Sequence, residues 1–157
     1  INPGFVLGDF LNEKTCTSME YVKQLLQGKF PAAPKFSVMI SHVKDIAKAH
    51  VLSLTNKRAG GRRLIVGSEV RSILELSQIM AKNIPSHAKK LPKRELPNFM
   101  VKLLSYVDTS AKNMVPDLGL KMQTDQTYAE DILQMKFIAS EIAVVDAAKS
   151  VIRLNIA

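Results

Sequence analysis

The sequence predicts an α/β fold in which about three short strands alternate with helices, followed by a mainly helical part. Apolar runs of strand length occur at residues 1–7, 36–43 and 63–67, and a segment with apolar residues at helical spacing follows each of them. Beyond residue 84 only the helical spacing recurs. Because a doubly wound parallel sheet usually needs five or six strands, three strands predict one edge of such a sheet.

The three strand predictions rest on different local patterns within residues 1–83. The opening run, INPGFVLG, is short, apolar and bounded by Gly8, which predicts a buried strand. The run FSVMISHV alternates apolar and polar residues, as a half-buried strand does, and RLIVG is the third strand.

Three capping boxes predict where helices begin. In this motif a Ser or Thr side chain and a Glu carboxylate three residues later each bond the other residue's backbone amide. The three pairs are Thr17 with Glu20, Ser72 with Glu75, and Thr127 with Glu130. The helix after Thr17 should have Tyr21, Val22, Leu25 and Leu26 on one apolar side, and Gly28 should end it in a left-handed conformation.

Residues 84–157 are predicted to form a mainly helical lobe. A Pro- and Lys-rich loop at 85–97 leads into a helix with an apolar stripe that should belong mainly to the core. The stripe consists of Phe99, Met100, Leu103, Leu104 and Val107. The last helix, at about 141–154, should bury Ile142, Val145, Ala148 and Ile152.

The charge pattern favours a small-molecule protein over a nucleic-acid protein. The net charge is +8, and basic residues cluster at 57–63 and 89–94. Trp is absent, aromatic residues make up 6%, and both clusters lie in Gly- or Pro-bearing connections, so they are interpreted as solvated loops. Contacts to the phosphates of a cofactor or substrate remain an alternative, and so does a polyanion site.

Membrane, disulfide and metal sites are not expected. No apolar run approaches the ~18 residues of a membrane span. A single cysteine, Cys16, excludes an internal disulfide and suits a reducing compartment, so a cytoplasmic location is expected. His42 and His50 lie eight residues apart with no third ligand in view, so no metal ligand is predicted.

Six segments in order resemble the extended short-chain dehydrogenases/reductases of the NAD-dependent epimerase/dehydratase superfamily, in particular the dihydroflavonol-reductase and methylglyoxal-reductase type. They are INPGFVLG, HVKDIAKAHVLSL, GGRRLIVGSEVRSILELSQIM, KKLPKRELPN, TYAEDILQMKF and the last helix. The resemblance implies that residues 1–83 form the C-terminal edge of a Rossmann-type sheet with an interleaved substrate-lobe segment. It further implies that residues 84–157 form a substrate-binding lobe. Asp9 and His42 depart from the family pattern, which has Pro and Asp there.

The resemblance also implies an activity and a site. The expected parent protein is an NAD(P)-dependent carbonyl reductase or alcohol dehydrogenase that transfers hydride between nicotinamide, of NADP or NAD, and a small aldehyde or ketone. The family's Pro-Gly after this strand lets the main chain approach the nicotinamide ring, which implicates Pro3, Gly4, Phe5 and Val6. Ser18 falls where the subgroup has a Ser near the cofactor, and the alternative is that its hydroxyl caps a helix.

The chain lacks two motifs that this chemistry requires. It contains no GxxGxxG loop to hold a pyrophosphate, and no tyrosine is followed four residues later by a lysine. The expectation is therefore that the N-terminal cofactor-binding half is absent, that no catalytic residue lies in this chain, and that the chain alone is inactive. The alternatives are a nucleotide-sugar epimerase or dehydratase of the same superfamily, or a non-catalytic binding or regulatory protein with the same fold.

Overall fold

A computed structural model describes residues 1–14, 16–106, 109–120 and 122–156, with the backbone alone at 109 and 110. The strands are β1 (Asn2–Pro3), β2 (Phe5–Leu7), β3 (Ala33–Pro34), β4 (Ser37–His42), β5 (Ile65–Val66), β6 (Val70–Ser72) and β7 (Glu95–Leu96). The helices are α1 (Thr17–Leu26), α2 (Val43–Thr55), α3 (Ile73–Asn83), α4 (Asn98–Leu104), α5 (Thr109–Met114), α6 (Thr127–Leu133) and α7 (Ser140–Arg153).

The opening run pairs with two other strands in succession. β1 is parallel to β5, with Asn2 opposite Ile65, and β2 is parallel to β4, with Phe5 opposite Ile40. β6 then adds antiparallel to β4. The three predicted strands are confirmed, although the third is shorter than its apolar run and the first is interrupted at Gly4.

Two strand features were not predicted. β3 and β7 form a parallel pair of two residues each, so the expectation that strands end after residue 84 is wrong. β6 was also missed. Segments of two or three residues are too short to produce an alternating pattern that the sequence could display.

The main core lies between β2, β4 and the helices α1, α3 and α7. The face of α1 that was predicted from its spacing is confirmed, because Val22, Leu25 and Leu26 are fully buried. A second cluster joins α2, β5 and α6 through Ala49, Val66 and Ile132. The run that contains β1 and β2 contacts both clusters, because Leu7 belongs to the first and Ile1 packs on the second.

The predicted buried face of α7 is only partly correct. Ile142 is 52% exposed, and Val145 and Ile152 are half-buried. The buried face consists instead of Ser140, Ala143, Val144, Ala147, Ala148, Ser150 and Val151. Small residues let α7 lie close against α1 and α3, so the alanines and serines form the contact surface.

The prediction that the α4 stripe belongs to the core is wrong. Phe99 is 70% exposed, Leu103 is 68% exposed, and Met100 and Leu104 are also exposed. Val107 lies outside the described residues. Within α4, only Val101 is buried. Helical spacing identifies an apolar face, but it does not show that this chain covers that face.

Only one of the three predicted capping boxes forms. The Ser72 hydroxyl accepts from the Glu75 amide at 3.2 Å, and the Glu75 carboxylate accepts from the Ser72 amide at 2.7 Å. The bond from the Ser72 amide is the main reason why the pKa of Glu75 is lowered. Thr17 and Thr127 are instead the first residues of their helices, after Cys16 and Gln126 at the N-cap positions, and neither helix has a side-chain cap.

Replacing Ser72 by Ala should lower the free energy of unfolding by about 1 kcal/mol, because the amide of Glu75 loses its acceptor. Chemical denaturation measures this change. Thr17→Ala is the matched control, since Thr17 has the same sequence pattern but makes no cap, and it should change stability by less than about 0.5 kcal/mol. Equal effects of the two substitutions would contradict the assignment.

Candidate functional site

The segment Pro3–Val6 begins where the parallel pair β1 and β5 ends. Pro3 is the last residue of β1 and lies opposite Val66, the last residue of β5. Since both strands run in the same direction, their carboxyl ends meet at one edge of the sheet, and Gly4 and Gly67 follow them there. In open α/β sheets this is the edge at which ligands bind.

Ser41 joins the two halves of the opening run. Its hydroxyl accepts from the amide of Gly4 at 2.8 Å and donates to the carbonyl of Val66 at 2.6 Å. Ser41 is fully buried. Gly4 is the residue between β1, which pairs with β5, and β2, which pairs with β4. At Gly4 the Ser41 hydroxyl therefore accepts the amide hydrogen bond that a backbone carbonyl would accept within a strand. The sequence analysis did not identify this role.

Gly4 is required by the packing of this chain. A Cβ atom on Gly4 would lie 2.2 Å from the carbonyl oxygen of Met39 and 3.0 Å from its Cβ. No side chain fits at such a distance, because ordinary contacts begin near 3.4 Å. The close approach at Gly4 in this structure is to the backbone of β4, and the expected approach to a nicotinamide ring stays a prediction.

Phe5 is positioned by aromatic packing. Its ring meets the ring of Tyr21 edge to face, with centroids 6.0 Å apart, and Tyr21 in turn packs on Phe30 at 5.2 Å. Phe5 and Val6 are both half-buried. The Tyr21 hydroxyl is buried and has no hydrogen-bond partner among the described residues, and burial raises the pKa of this phenol.

Ser18 does not cap α1. The helix begins after Cys16 without a side-chain cap, and the Ser18 hydroxyl lies 3.6 Å from the Cys16 thiol. Ser18 precedes Tyr21 by three residues, so the two side chains are neighbours on the helix surface. Because Tyr21 packs on Phe5, this places Ser18 on the side of α1 that faces β2. Tyr21 thus joins α1 to Phe5, whereas the contact of the Ser18 hydroxyl is with Cys16, and a shared site for Ser18 and Pro3–Val6 stays a prediction.

His42 has a structural role that the sequence did not indicate. It is buried, and its Nδ1 accepts from the Lys44 amide at 3.1 Å, which caps α2. Nε2 then carries the ring hydrogen and lies 3.4 Å from the carboxylate of Asp146 on α7. His42 thus performs, at the position where the family has Asp, the capping that an Asp side chain would perform.

His50 is exposed and its Nδ1 lies 2.8 Å from the Ile46 carbonyl, so His42 and His50 make separate local contacts.

In the part of the chain that the structure describes, no three His, Cys, Asp or Glu residues are grouped so as to hold a metal ion. None of the described helices is both long and apolar enough to cross a bilayer.

Comparison with known proteins identifies reductases. The chain is 30% identical over 87 residues to tetraketide alpha-pyrone reductase 2 of Arabidopsis thaliana, an alignment that spans 55% of this chain and 27% of the reductase. It matches yeast methylglyoxal/isovaleraldehyde reductase, solved in complex with NADPH, with a TM-score of 0.68 and 19% identity, over 98% of this chain and 46% of the other. No family model matches the sequence.

The same fold also occurs in an epimerase. A nucleoside-diphosphate-sugar epimerase from Pseudomonas aeruginosa matches with a TM-score of 0.74 and 14% identity, over 98% of this chain and 47% of that protein. The expected fold class is confirmed, and so is the resemblance to reductases of the epimerase/dehydratase superfamily. The chain spans only about a quarter of its curated reductase relative and less than half of each of these structures.

Proposed function

We propose that this chain is the C-terminal portion of an NADP(H)-dependent carbonyl reductase and supplies the wall beside the nicotinamide ring. In this proposal Pro3, Gly4, Phe5 and Val6 form the wall, Ser18 stands next to it, and a small aldehyde or ketone is the substrate. The pyrophosphate site and the Tyr/Lys pair have to come from outside these 157 residues, because the sequence contains neither motif.

The position of Pro3–Val6 at the carboxyl edge of the β1–β5 pair is the observation that carries this proposal. Pro3 is exposed there, and its ring offers an apolar surface without an amide hydrogen. The resemblance implies that the Pro-Gly motif after this strand lies beside the nicotinamide ring, and Pro3 and Gly4 are at the end of β1, where that motif is expected. The likeness to a reductase over 55% of this chain supports a reductase as the parent protein.

The hydrogen bonds narrow the atoms that could hold the carboxamide of a nicotinamide ring. Pro3 has no amide hydrogen, and the amide of Gly4 already donates to Ser41. The remaining amides of the segment belong to Phe5 and Val6, which lie in β2, and because the parallel ladder to β4 uses every second amide, one of the two at most is left for the carboxamide. When bound, the cofactor supplies or accepts the hydride, and the residues of this chain orient its ring and exclude water from one face.

Two surfaces of the chain are consistent with a larger assembly. In the described ranges β1 pairs only with β5 and β2 only with β4, so no strand of this chain covers the other edge of the opening run. The apolar stripe of α4 is exposed, with Phe99 and Leu103 about two-thirds or more accessible. Such surfaces are usually covered by further protein or by a ligand.

The isolated 157-residue chain should show no hydride transfer and no tight NADPH binding, because it lacks the groups that hold the pyrophosphate and move the proton. Titration of NADPH fluorescence should give no saturable change at low micromolar concentrations of NADPH. A dissociation constant below about 10 µM would contradict the proposal, since it would require a complete cofactor site within this chain.

A chimera tests the wall directly. The N-terminal portion of the Arabidopsis reductase, joined ahead of Ile1, should restore saturable NADPH binding. In that chimera Ser18→Ala should weaken NADPH binding roughly two- to tenfold, as expected for one lost hydrogen bond. Because Ser18 makes no helix cap, the melting temperature without cofactor should stay unchanged. Unchanged affinity in a chimera that binds NADPH would remove Ser18 from the site.

A nucleotide-sugar epimerase or dehydratase is the second candidate, because the structure from Pseudomonas aeruginosa has the same fold. The opening motif argues against it. Epimerases and dehydratases usually have an Arg- or aromatic-rich version of this motif, and INPGFVLG is not of that kind. Transfer of hydride from NADPH to a simple aldehyde by the chimera would favour the reductase. Interconversion of nucleotide sugars would favour the epimerase.

A further inference from the structure

A basic groove lies at the opposite end of α1 from Ser18. It has a volume of about 360 Å³, and its walls include Gly28, Phe30, Lys89, Lys90, Lys93 and Arg94. Pockets for small ligands begin at roughly 300 Å³. Ser18 and Gly28 are ten residues apart, which corresponds to about 15 Å along a helix. The basic groove shares no residue with the candidate nicotinamide wall.

The four cations of the basic groove have no acidic partner. All four side chains are exposed, and none of them forms an ion pair with a carboxylate in the described part of the chain. The neighbouring acid, Glu95, is already paired with Lys35 at 3.5 Å. The groove thus holds a local excess of positive charge that nothing on its walls balances.

The end of α1 does not require these cations either. Basic side chains often bond the last carbonyls of a helix. Here backbone amides occupy those carbonyls: Gly28 donates to Leu25 at 3.0 Å, and Lys29 donates to Gln24 at 3.0 Å. The four basic side chains are therefore not needed to bond the carbonyls of Gln24 and Leu25 at the end of α1.

The backbone that carries the cations is fixed. Lys90 donates to the His87 carbonyl at 2.9 Å, and the Arg94 carbonyl accepts from Ala33 at 2.9 Å. Between them Leu91 is 3% exposed and belongs to the main core. Gly28, at a φ of +76°, approaches so closely that a Cβ there would lie 3.1 Å from the Cβ of Lys90. The backbone of the segment that carries the four cations is thus held at Lys90, Leu91 and Arg94.

We infer that the basic groove binds a small ligand that carries two or more adjacent phosphate groups. Lysine and arginine donate several charge-assisted hydrogen bonds to phosphate oxygens, and four of them can surround a diphosphate. The inference does not depend on the proposed function, since it uses no residue of the nicotinamide wall. It assigns to residues 89–94 a role other than that of a solvated loop.

The test measures the binding of inorganic pyrophosphate to the 157-residue chain by isothermal titration calorimetry at about 0.15 M salt. Saturable binding is expected with a dissociation constant of roughly 1 mM or tighter. Lys89→Gln combined with Arg94→Gln should weaken it about tenfold or more, because two charge-assisted bonds are lost. Lys57→Gln combined with Arg62→Gln is the matched control, since it removes the same charge from the other basic cluster, and should weaken binding less than about twofold.

Three results would overturn the inference. They are the absence of saturable pyrophosphate binding, equal weakening by the two double variants, and binding of a 20-nucleotide RNA but not of pyrophosphate. NADPH also carries phosphates, so its titration is repeated with the Lys89/Arg94 double variant. Weak NADPH binding that this variant abolishes takes place in the basic groove. Binding that the variant leaves unchanged takes place at another site. The two cases distinguish a failure of this inference from a failure of the proposed nicotinamide wall.

Discussion

Gly4→Ala should destabilise this chain by at least about 3 kcal/mol, even though it adds only a methyl group. The added Cβ would lie 2.2 Å from the Met39 carbonyl oxygen, so β2 or β4 would have to move. That movement would also break the bond from the Gly4 amide to Ser41, whose hydroxyl is buried. Since small domains are stable by roughly 5–15 kcal/mol, the variant should lose about a fifth or more of its stability and melt at a lower temperature.

Gly60→Ala is the control for this prediction. An added Cβ at Gly60 meets nothing closer than the Lys57 carbonyl at 3.6 Å, which is an ordinary contact. This variant should unfold within about 0.5 kcal/mol of the unmodified chain. If Gly4→Ala also keeps the original denaturation midpoint, the backbones of β2 and β4 do not approach each other as described.

This result changes how a variant at Gly4 can be interpreted. A branched side chain at Gly4 is expected from the resemblance to impair cofactor use, because it would block the approach to the nicotinamide ring. The structure adds an independent cause, since any side chain at Gly4 collides with β4. Loss of cofactor use in a Gly4 variant is therefore no evidence for the nicotinamide wall. Ser18, which makes no cap and has an exposed neighbour in Cys16, provides the cleaner test.

Local pattern predicted the three longer apolar runs as strands but not β3, β6 or β7, and it predicted the helix starts unevenly. The alternation in FSVMISHV correctly predicted a strand, which is Ser37–His42, but the expectation that it is half-buried is wrong, because its last four residues are all buried. Thr17 and Ser72 have the same spacing to a glutamate, yet only Ser72 takes the extended N-cap conformation. At α1 Cys16 is extended, with φ of −105° and ψ of 170°, so the helix begins one residue too early for Thr17 to act as cap.

Burial was harder to predict than secondary structure, because it depends on what each face meets. α4 has the spacing of a core helix, but Phe99 and Leu103 meet no partner that would bury them among the described residues. In α7 the alanines are weak hydrophobic signals, yet Ala143 and Ala147 are fully buried because they permit close packing. The contacts of the candidate site also depend on tertiary packing. The sequence indicated Gly4, but it did not indicate that Ser41 and Met39 contact Gly4.

His42→Ala should lower the free energy of unfolding by about 2–4 kcal/mol. The substitution removes the acceptor for the Lys44 amide at the start of α2, a cap worth about 0.5–2 kcal/mol. It also removes the Nε2 contact to Asp146 and leaves a space where a side chain that is 1% exposed had been. Because α2 and α7 both lose a contact, the unfolding midpoint should fall in thermal and in chemical denaturation alike.

Two further substitutions separate the cap from the other losses. His42→Asn keeps an acceptor of short reach for the Lys44 amide and adds no charge near Asp146, so it should recover roughly half of the lost stability. His50→Ala is the matched histidine control: His50 is exposed on the same helix, and its loss should cost less than about 0.5 kcal/mol. If His42→Ala is no more destabilising than His50→Ala, the ring of His42 does not hold α2 against the core, and the departure from Asp at this position requires another explanation.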